Sequence, residues 1–167
     1  MLENYFYATL ITPVQEKLEQ LYYEASIEKN YYLSPANVLR CDVSKEIREY
    51  LSKLFIIELA DCGFLKSPPN YRYPVHTDRF RITALNMPMF AHNESFESYI
   101  IDDKNPKVKE PITYKKDHFT ILNVAKLHGV NNNSLDLTRI ILSIGIKNTS
   151  YDKVLNLYKE NKLIHVV

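Results

Sequence analysis

Residue types that bind transition metals occur in the second half of the chain with a spacing that suits a metal centre. His76 and Asp78 form a His-x-Asp pair, His128 follows 52 residues later (128 − 76), and Arg139 follows eleven residues after that (139 − 128). Two imidazoles and one carboxylate can hold one face of a non-haem Fe(II) ion and leave its other positions open for chemistry. An arginine nearby can bind a carboxylate-bearing cosubstrate through its planar guanidinium. These four residues predict a non-haem iron site with an adjacent anion-binding arginine.

Each of these residues also has a simpler structural interpretation. His76 can be a surface residue and Asp78 a turn residue, whereas His128 can be a half-buried strand histidine bonded to the backbone. Arg139 can extend to solvent from the start of its strand. Three further histidines compete for the ligand positions: His92, His118 and His165. The joint order of the four proposed site residues in one strand-rich region favours a site over these separate explanations.

The elements that must position these residues are predicted to be strands. From about residue 68, apolar and polar residues alternate as in half-buried strands, most clearly at 80–87 and 139–146, and a β-prone apolar run covers 121–130. His128 then lies near the end of that run, before an Asn-rich turn. The alternation in 139–146 places Arg139, Ile141 and Ser143 on one face. Six to eight short strands after two helices predict an antiparallel jelly-roll sandwich or barrel.

Helices are predicted at both ends of the chain. Thr12 begins the first helix as its N-cap, and a second helix runs from Ser44 towards Gly63 as its stop. A short strand at 38–43 separates them, and 150–162 forms a final helix.

The expected organisation is one domain over residues 1–167. A helical front at 1–66 packs on a jelly-roll core at 67–148 that carries the metal site, and a C-terminal helix covers 149–167. The fold class is therefore mainly β with outer helices, an α+β arrangement.

Composition excludes several classes of function. Lys plus Arg number 21 and Asp plus Glu number 20, so the net charge of +1 gives no footprint for a nucleic-acid partner. The three glycines do not cluster, which excludes a Rossmann or P-loop nucleotide site. No run approaches the ~18 apolar residues of a membrane span. Residues 1–12 lack the features of a signal peptide, and two cysteines outside a CxxC pattern are expected as reduced thiols. A cytoplasmic location is therefore expected.

Segments 75–78, 84–89 and 127–131, together with Arg139, resemble the 2-oxoglutarate- and Fe(II)-dependent oxygenase superfamily. They look most like its aspartyl/asparaginyl β-hydroxylase and prolyl hydroxylase branches, over roughly residues 70 to 147. This resemblance implies a double-stranded β-helix, which is a cupin-like variant of the jelly-roll. It implies a hydroxylase acting on an amino-acid or peptide side chain or a small molecule.

The same resemblance assigns roles to individual residues. His76, Asp78 and His128 become the Fe(II) ligands, and Arg139 binds the distal carboxylate of 2-oxoglutarate. Many members place a serine two residues after this arginine, where this chain has Ile141. Ser143 supplies the next hydroxyl, and Asn86 is a candidate for polar lining. Four residues that flank the His-x-Asp pair are candidates for substrate contact: Tyr71, Tyr73, Arg79 and Arg81.

Two other functions remain open from the sequence. A cupin-like protein could use the same barrel to bind a metal for isomerase or lyase chemistry, or to bind a small ligand without turnover. An interaction module with a decayed site is the other alternative. An Arg139 that points into the barrel near the metal ligands would favour the oxygenase.

Overall fold

The computed structural model of the protein describes residues 5–9, 15–90 and 94–165. The strands are β1 (Tyr5–Thr9), β2 (Tyr32–Leu33), β3 (Leu39–Asp42), β4 (Leu59–Ser67), β5 (Tyr71–His76), β6 (Thr83–Pro88), β7 (Phe96–Ile101), β8 (Lys109–Pro111), β9 (His118–Asn123), β10 (His128–Asn132) and β11 (Arg139–Ile146). The helices are α1 (Leu18–Ser26), α2 (Lys45–Leu54) and α3 (Tyr151–Lys159). Short 3₁₀ turns at Gln15–Lys17 and Glu28–Asn30 flank α1.

The strands form two antiparallel sheets. The larger sheet has the order β1-β9-β6-β11-β4-β3-β2, and the smaller has the order β5-β10-β7-β8. Most neighbours in both orders are far apart in sequence, as β6, β11 and β4 show, whereas β2–β3, β3–β4 and β7–β8 are consecutive. This interleaving of strands from distant parts of the chain is typical of a jelly-roll rather than a meander.

The middle of the larger sheet is buried on both faces, which explains why all eight residues of β11 are buried. One face packs against the three helices, with Leu142 and Ile144 contributing to the main hydrophobic core. The opposite face meets the smaller sheet across a second cluster that contains Ile141, Ile100 and Leu122. The alternation predicted from the sequence for 139–146 therefore separates a helix-facing set of side chains from a set inside the barrel.

The helices follow the sequence prediction closely, with one wrong end. Ser44 caps α2, and its hydroxyl accepts from the amide of Ile47 at 3.3 Å. The predicted stop at Gly63 is wrong, because α2 ends at Leu54 and Phe55 is already extended, forming a bridge with Ile164. Gly63 instead lies inside β4. The predicted cap at Thr12 lies outside the described residues, and the final helix is present as α3.

Two strand predictions need correction. The run at 121–130 is not one strand: β9 ends at Asn123 and β10 begins at His128, so the run joins two sheets. His128 therefore opens a strand rather than ending one. Residues 80–82 form a loop before β6, and Phe80 is 96% exposed. The side chain of Arg81 pairs with Asp78, three residues earlier. Because residues three apart in an extended strand point to opposite faces, this contact is incompatible with a continuous strand here.

The segment 1–66, predicted as a helical front, also supplies β1 to β3 and most of β4 to the larger sheet. The division of the chain at residues 66 and 148 stays a prediction. Cys41 and Cys62 are both free and buried, as expected. Among the helices of the described part of the chain, none is both long and apolar enough to cross a bilayer.

Asn132 links the connection between β4 and β5 to the connection between β10 and β11. It is fully buried, and the two hydrogens of its Nδ2 are shared among the carbonyls of Ser67, Pro68 and Leu137, while its Oδ1 accepts from the amide of Ser134. We expect Asn132→Ala to lower the free energy of unfolding by about 3 kcal/mol, because buried carbonyls and an amide lose their partners.

Urea unfolding followed by circular dichroism measures this change, and Asn131 provides the matched control. Its Nδ2 makes an exposed bond to Glu97 at 3.0 Å, so Asn131→Ala should change stability by less than about 0.5 kcal/mol. Equal losses for the two variants would contradict the role assigned to Asn132.

Candidate metal centre

Strand pairing brings two of the predicted ligands side by side. His128 opens β10 and lies opposite His76, the last residue of β5, in the antiparallel register. Their imidazole centroids are 4.3 Å apart. The pairing register shifts between His128 and Val130, so a local irregularity sits beside the pair. Residues directly opposite each other project from the same face of a sheet, which is why 52 residues of separation become direct contact.

Asp78 completes the cluster from just beyond the end of β5. Its amide donates to the carbonyl of Val124 at 3.0 Å, which anchors the chain where it leaves the strand. Its Oδ1 lies 3.4 Å from Nε2 of His76 and 3.8 Å from Nε2 of His128. One ligand atom from each residue lies within 4.8 Å of the others, so the three can reach a single ion.

Backbone carbonyls fix the orientation of both imidazoles. Nδ1 of His76 lies 2.8 Å from the carbonyl of Pro74, and Nδ1 of His128 lies 2.8 Å from the carbonyl of Lys126. A carbonyl only accepts, so Nδ1 is the donor in each contact, and Nε2 is the nitrogen of each ring that faces Asp78 Oδ1. A contact from one ring nitrogen to a backbone carbonyl is typical of histidines that bind metals through the other nitrogen.

The electrostatics of the cluster favour the ionisation states that a metal requires. Burial acts to raise the pKa of Asp78, but hydrogen bonds from His76 and Arg81 and the charge of Arg81 outweigh it and lower this pKa to about 2. Burial lowers the pKa of His128, and the neighbouring His76 lowers it further. The cluster therefore offers a metal the ionised carboxylate of Asp78 and the neutral imidazole of His128, which suits a divalent cation.

Arg139 lies inside the barrel rather than extending to solvent. It is 6% exposed, its Nη2 donates to Ser98 Oγ at 2.7 Å, and its guanidinium lies 5.4 Å from the ring centroid of Tyr114. Burial lowers the pKa of Arg139, while Tyr114 opposes this effect. Among the residues that the structure describes, no carboxylate pairs with Arg139. A buried charge with only neutral partners is costly unless an anion joins it.

Polar atoms without partners lie on the same inner side of the barrel. Within the described residues, Asn86 Oδ1, Thr120 Oγ1 and Asn123 Oδ1 are buried and make no hydrogen bond. The Nδ2 of Asn86 donates weakly to the hydroxyl of Tyr114 at 3.4 Å. Buried polar atoms of this kind are normally satisfied by a ligand or by water.

One cavity of about 1010 Å³ connects the cluster of His76, Asp78 and His128 with Arg139. Its wall includes the three clustered residues, Arg139, Asn86 and Tyr114, and its outer part includes Tyr32, Tyr71, Tyr73 and Phe80. The volume lies at the upper end of the range for small-ligand sites, so there is room for more than one small molecule.

Ser143 does not join Arg139 in this structure. It shares the inner face of β11, but its hydroxyl accepts from Nη1 of Arg81 at 2.9 Å. Arg81 also pairs with Asp78 and lines the cavity, and its contact with a substrate stays a prediction.

Sequence reasoning missed Tyr114 and Ser98 as partners of Arg139. Tyr114 precedes β9 and Ser98 lies on β7 of the other sheet, so only the folded topology brings them to this arginine. The chain has 13 tyrosines, and no local pattern singles this one out.

The competing histidines divide into two groups. His118 has the same local geometry as the clustered pair, with Nδ1 2.7 Å from the carbonyl of Lys116, but it is not part of the cluster. His165 is exposed near the end of the chain, and His92 lies outside the described residues. The carbonyl contact alone is therefore not specific for a ligand, whereas convergence on Asp78 is.

Comparison with known proteins gives matches in structure but not in sequence. A scan against models of protein families gives no match, and a search of the curated proteins gives none. Among solved structures, a Pseudomonas putida prolyl-4-hydroxylase has 12% identity and a TM-score of 0.62, covering 89% of this chain and 95% of its own. The viral collagen prolyl hydroxylase of Paramecium Bursaria Chlorella virus-1, solved as a 2OG complex, has 17% identity and a TM-score of 0.58, with 87% and 96% covered.

A third similar structure comes from Burkholderia pseudomallei and is described as an oxidoreductase of the 2OG-Fe(II) oxygenase family. Its identity is 7% and its TM-score 0.62, with 88% of this chain and 86% of that chain covered. The chain thus has the double-stranded β-helix fold of these oxygenases over nearly its whole length. The predicted fold class is confirmed, and the resemblance to the superfamily is confirmed at the level of the fold, with its branch left open.

Proposed function

We propose that the protein is a 2-oxoglutarate- and Fe(II)-dependent oxygenase that hydroxylates an amino-acid or peptide side chain or a small molecule. The observation that carries this proposal is the convergence of His76, Asp78 and His128 in the cavity that also contains the unpaired guanidinium of Arg139. Neither feature alone selects the function. A metal cluster also suits a hydrolase or lyase, whereas a metal cluster that shares a pocket with a buried cation suits an anionic cosubstrate.

The metal would be held by Nε2 of His76, Nε2 of His128 and Oδ1 of Asp78. Two imidazoles and one carboxylate with further positions open are the ligand set of non-haem Fe(II) oxygenases. With Fe(II) bound, the centre supplies the oxidising chemistry in which O₂ and 2-oxoglutarate become succinate and CO₂ while a substrate C–H becomes C–OH. The chain itself supplies the metal ligands, the walls of the cavity and the orientation of the cosubstrate.

The cosubstrate would lie between the metal and Arg139. Its distal carboxylate pairs with the guanidinium, which is already oriented by Ser98 and Tyr114. Asn86 lines the same cavity, and its Nδ2, which donates only at 3.4 Å to the hydroxyl of Tyr114, is a donor to the cosubstrate. Ser143 has a lesser part in this arrangement, since its hydroxyl is bound to Arg81.

The outer cavity would take the substrate. Tyr71 and Tyr73 have nearly parallel rings 6.4 Å apart, and the ring of Tyr73 also lies edge-on against the imidazole of His76 at 4.3 Å. Aromatic walls of this kind suit an extended peptide or a small apolar molecule. Two of the similar structures are prolyl hydroxylases by description, so proline-containing peptides are the first substrates to try. The free thiols of Cys41 and Cys62 fit a reducing compartment, and we propose the cytoplasm.

The cupin-like alternative is less well supported. A metal-dependent isomerase or lyase without an anionic cosubstrate gives no reason for a buried arginine that lines the same cavity as the metal cluster. The position of Arg139 is the feature that distinguishes the two functions.

Succinate formation tests the proposal directly. The protein is incubated with Fe(II), 2-oxoglutarate and ascorbate, with and without a proline-containing peptide, and His76→Ala serves as the blank. We expect slow uncoupled succinate production by the wild type, faster production with an accepted substrate, and none by the variant. Equal rates for wild type and variant would contradict the assignment.

A further inference from the structure

A series of hydrogen bonds and ion pairs runs from Asp78 through Arg81 to Asp61, and metal binding alone does not explain it. Nε of Arg81 donates to Asp78 Oδ2 at 2.5 Å, which leaves Oδ1 as the oxygen that faces both histidines. Nη1 of Arg81 donates to Ser143 at 2.9 Å and lies 3.8 Å from Asp61 Oδ1. Asp61 in turn pairs with Arg40 at 2.9 Å. The two carboxylate oxygens of Asp78 thus face different partners, with Oδ1 towards the histidines and Oδ2 towards Arg81.

The backbone provides space for this series of contacts at one position. Gly145 lies directly opposite Asp61 in the β11–β4 register. A Cβ at Gly145 would overlap Asp61 Oδ1 and come within 3.1 Å of Arg81 Cδ. The pairing register shifts between Gly145 and Ile146, but no positive φ occurs at Gly145. The absence of a side chain here is therefore a requirement of the Asp61–Arg81 pair rather than of the backbone torsions.

We propose that Arg81 is a positioning residue that keeps Asp78 a one-oxygen metal ligand, and that Asp61 and Gly145 hold Arg81 in place. This inference rests on the proposed function. A carboxylate bound through both oxygens would occupy one more position on the ion. An octahedral ion with two imidazoles and a one-oxygen carboxylate keeps the positions that a chelating cosubstrate and O₂ need. Occupying Oδ2 with a charge-assisted hydrogen bond preserves them.

The count of water molecules on a bound ion tests this role without any turnover. Mn(II) alone is added to the protein, and water-proton relaxation gives the number of exchangeable waters on the ion. For wild type we expect water at every position that the protein does not fill. Arg81→Met should show one fewer water, because the released Oδ2 joins Oδ1 on the ion. Arg81→Lys keeps a cationic donor and should recover part of the wild-type count.

Two further variants separate positioning from general disruption. Arg72→Met removes an exposed arginine of β5 and should leave the water count unchanged. Gly145→Ala changes no charge and displaces the flexible Asp61 carboxylate, so it should move the count towards that of Arg81→Met. If Arg81→Met does not fold, Gly145→Ala alone decides the question.

The outcomes distinguish this inference from the function on which it rests. An unchanged water count in both Arg81→Met and Gly145→Ala, with succinate still formed by wild type, would overturn the role of Arg81 alone. A wild-type protein that binds no Mn(II) would overturn the proposed function and this inference together. Loss of one water in both variants, with partial recovery in Arg81→Lys, would support the positioning role.

Discussion

Arg139→Met is expected to weaken the binding of 2-oxoglutarate by on the order of 100-fold while leaving metal binding unchanged. Loss of a desolvated charge pair costs about 3 kcal/mol, and each 1.4 kcal/mol is tenfold in affinity. The guanidinium is buried and has only neutral partners among the described residues, Ser98 and Tyr114, so its charge is available to a ligand. Isothermal titration of the Mn(II)-loaded protein with 2-oxoglutarate measures the effect.

The stability of the same variant provides an independent check. Removing a charge that lacks a carboxylate partner should leave the free energy of unfolding unchanged or raise it, because its burial is a cost in the ligand-free protein. Arg139→Lys keeps the charge but not the planar fork, so we expect a smaller loss of affinity than for methionine. An affinity for 2-oxoglutarate unchanged in Arg139→Met would place the cosubstrate elsewhere and weaken the proposed function.

The residue types of the site could be read from the sequence because they follow short-range rules. His76 and Asp78 are two residues apart at the end of a strand, and Arg139 opens a strand whose alternation assigns it to the inner face. The chain obeys the second rule, because Ile141 on the same face packs inside the barrel and Leu142 packs against the helices. In the first pair only His76 belongs to the strand, since Asp78 lies just beyond the end of β5. Period-two patterning carries this information because one face of the strand meets the other sheet.

The connections between these residues could not be read in the same way. The pairing of His76 with His128 depends on the register between β5 and β10, which follows from the whole topology of the smaller sheet. The run at 121–130 shows the limit of a local pattern, because a turn between the two sheets divides a stretch that is mostly apolar in sequence. Arg81 is a case of the same kind. It lies in an alternating stretch, but its ion pair with Asp78 turns the chain and delays β6 until Thr83.

Of the variants that remove a predicted ligand, His128→Ala should have the largest effect relative to a matched control. Loss of a group that merely orients a ligand costs about 10–100-fold in metal affinity, so loss of a ligand should cost more than about 100-fold. His118→Ala is the control, because His118 makes the same contact to a carbonyl two residues earlier, at 2.7 Å, but lies outside the cluster. Titration with Co(II), followed by the succinate assay, compares the two variants. We expect His118→Ala to match the wild type in both measurements and His128→Ala to lose both metal binding and succinate formation. Co(II) affinity retained in His128→Ala would mean that the ion is held by other residues, and the geometry on which the proposed function rests would no longer support it.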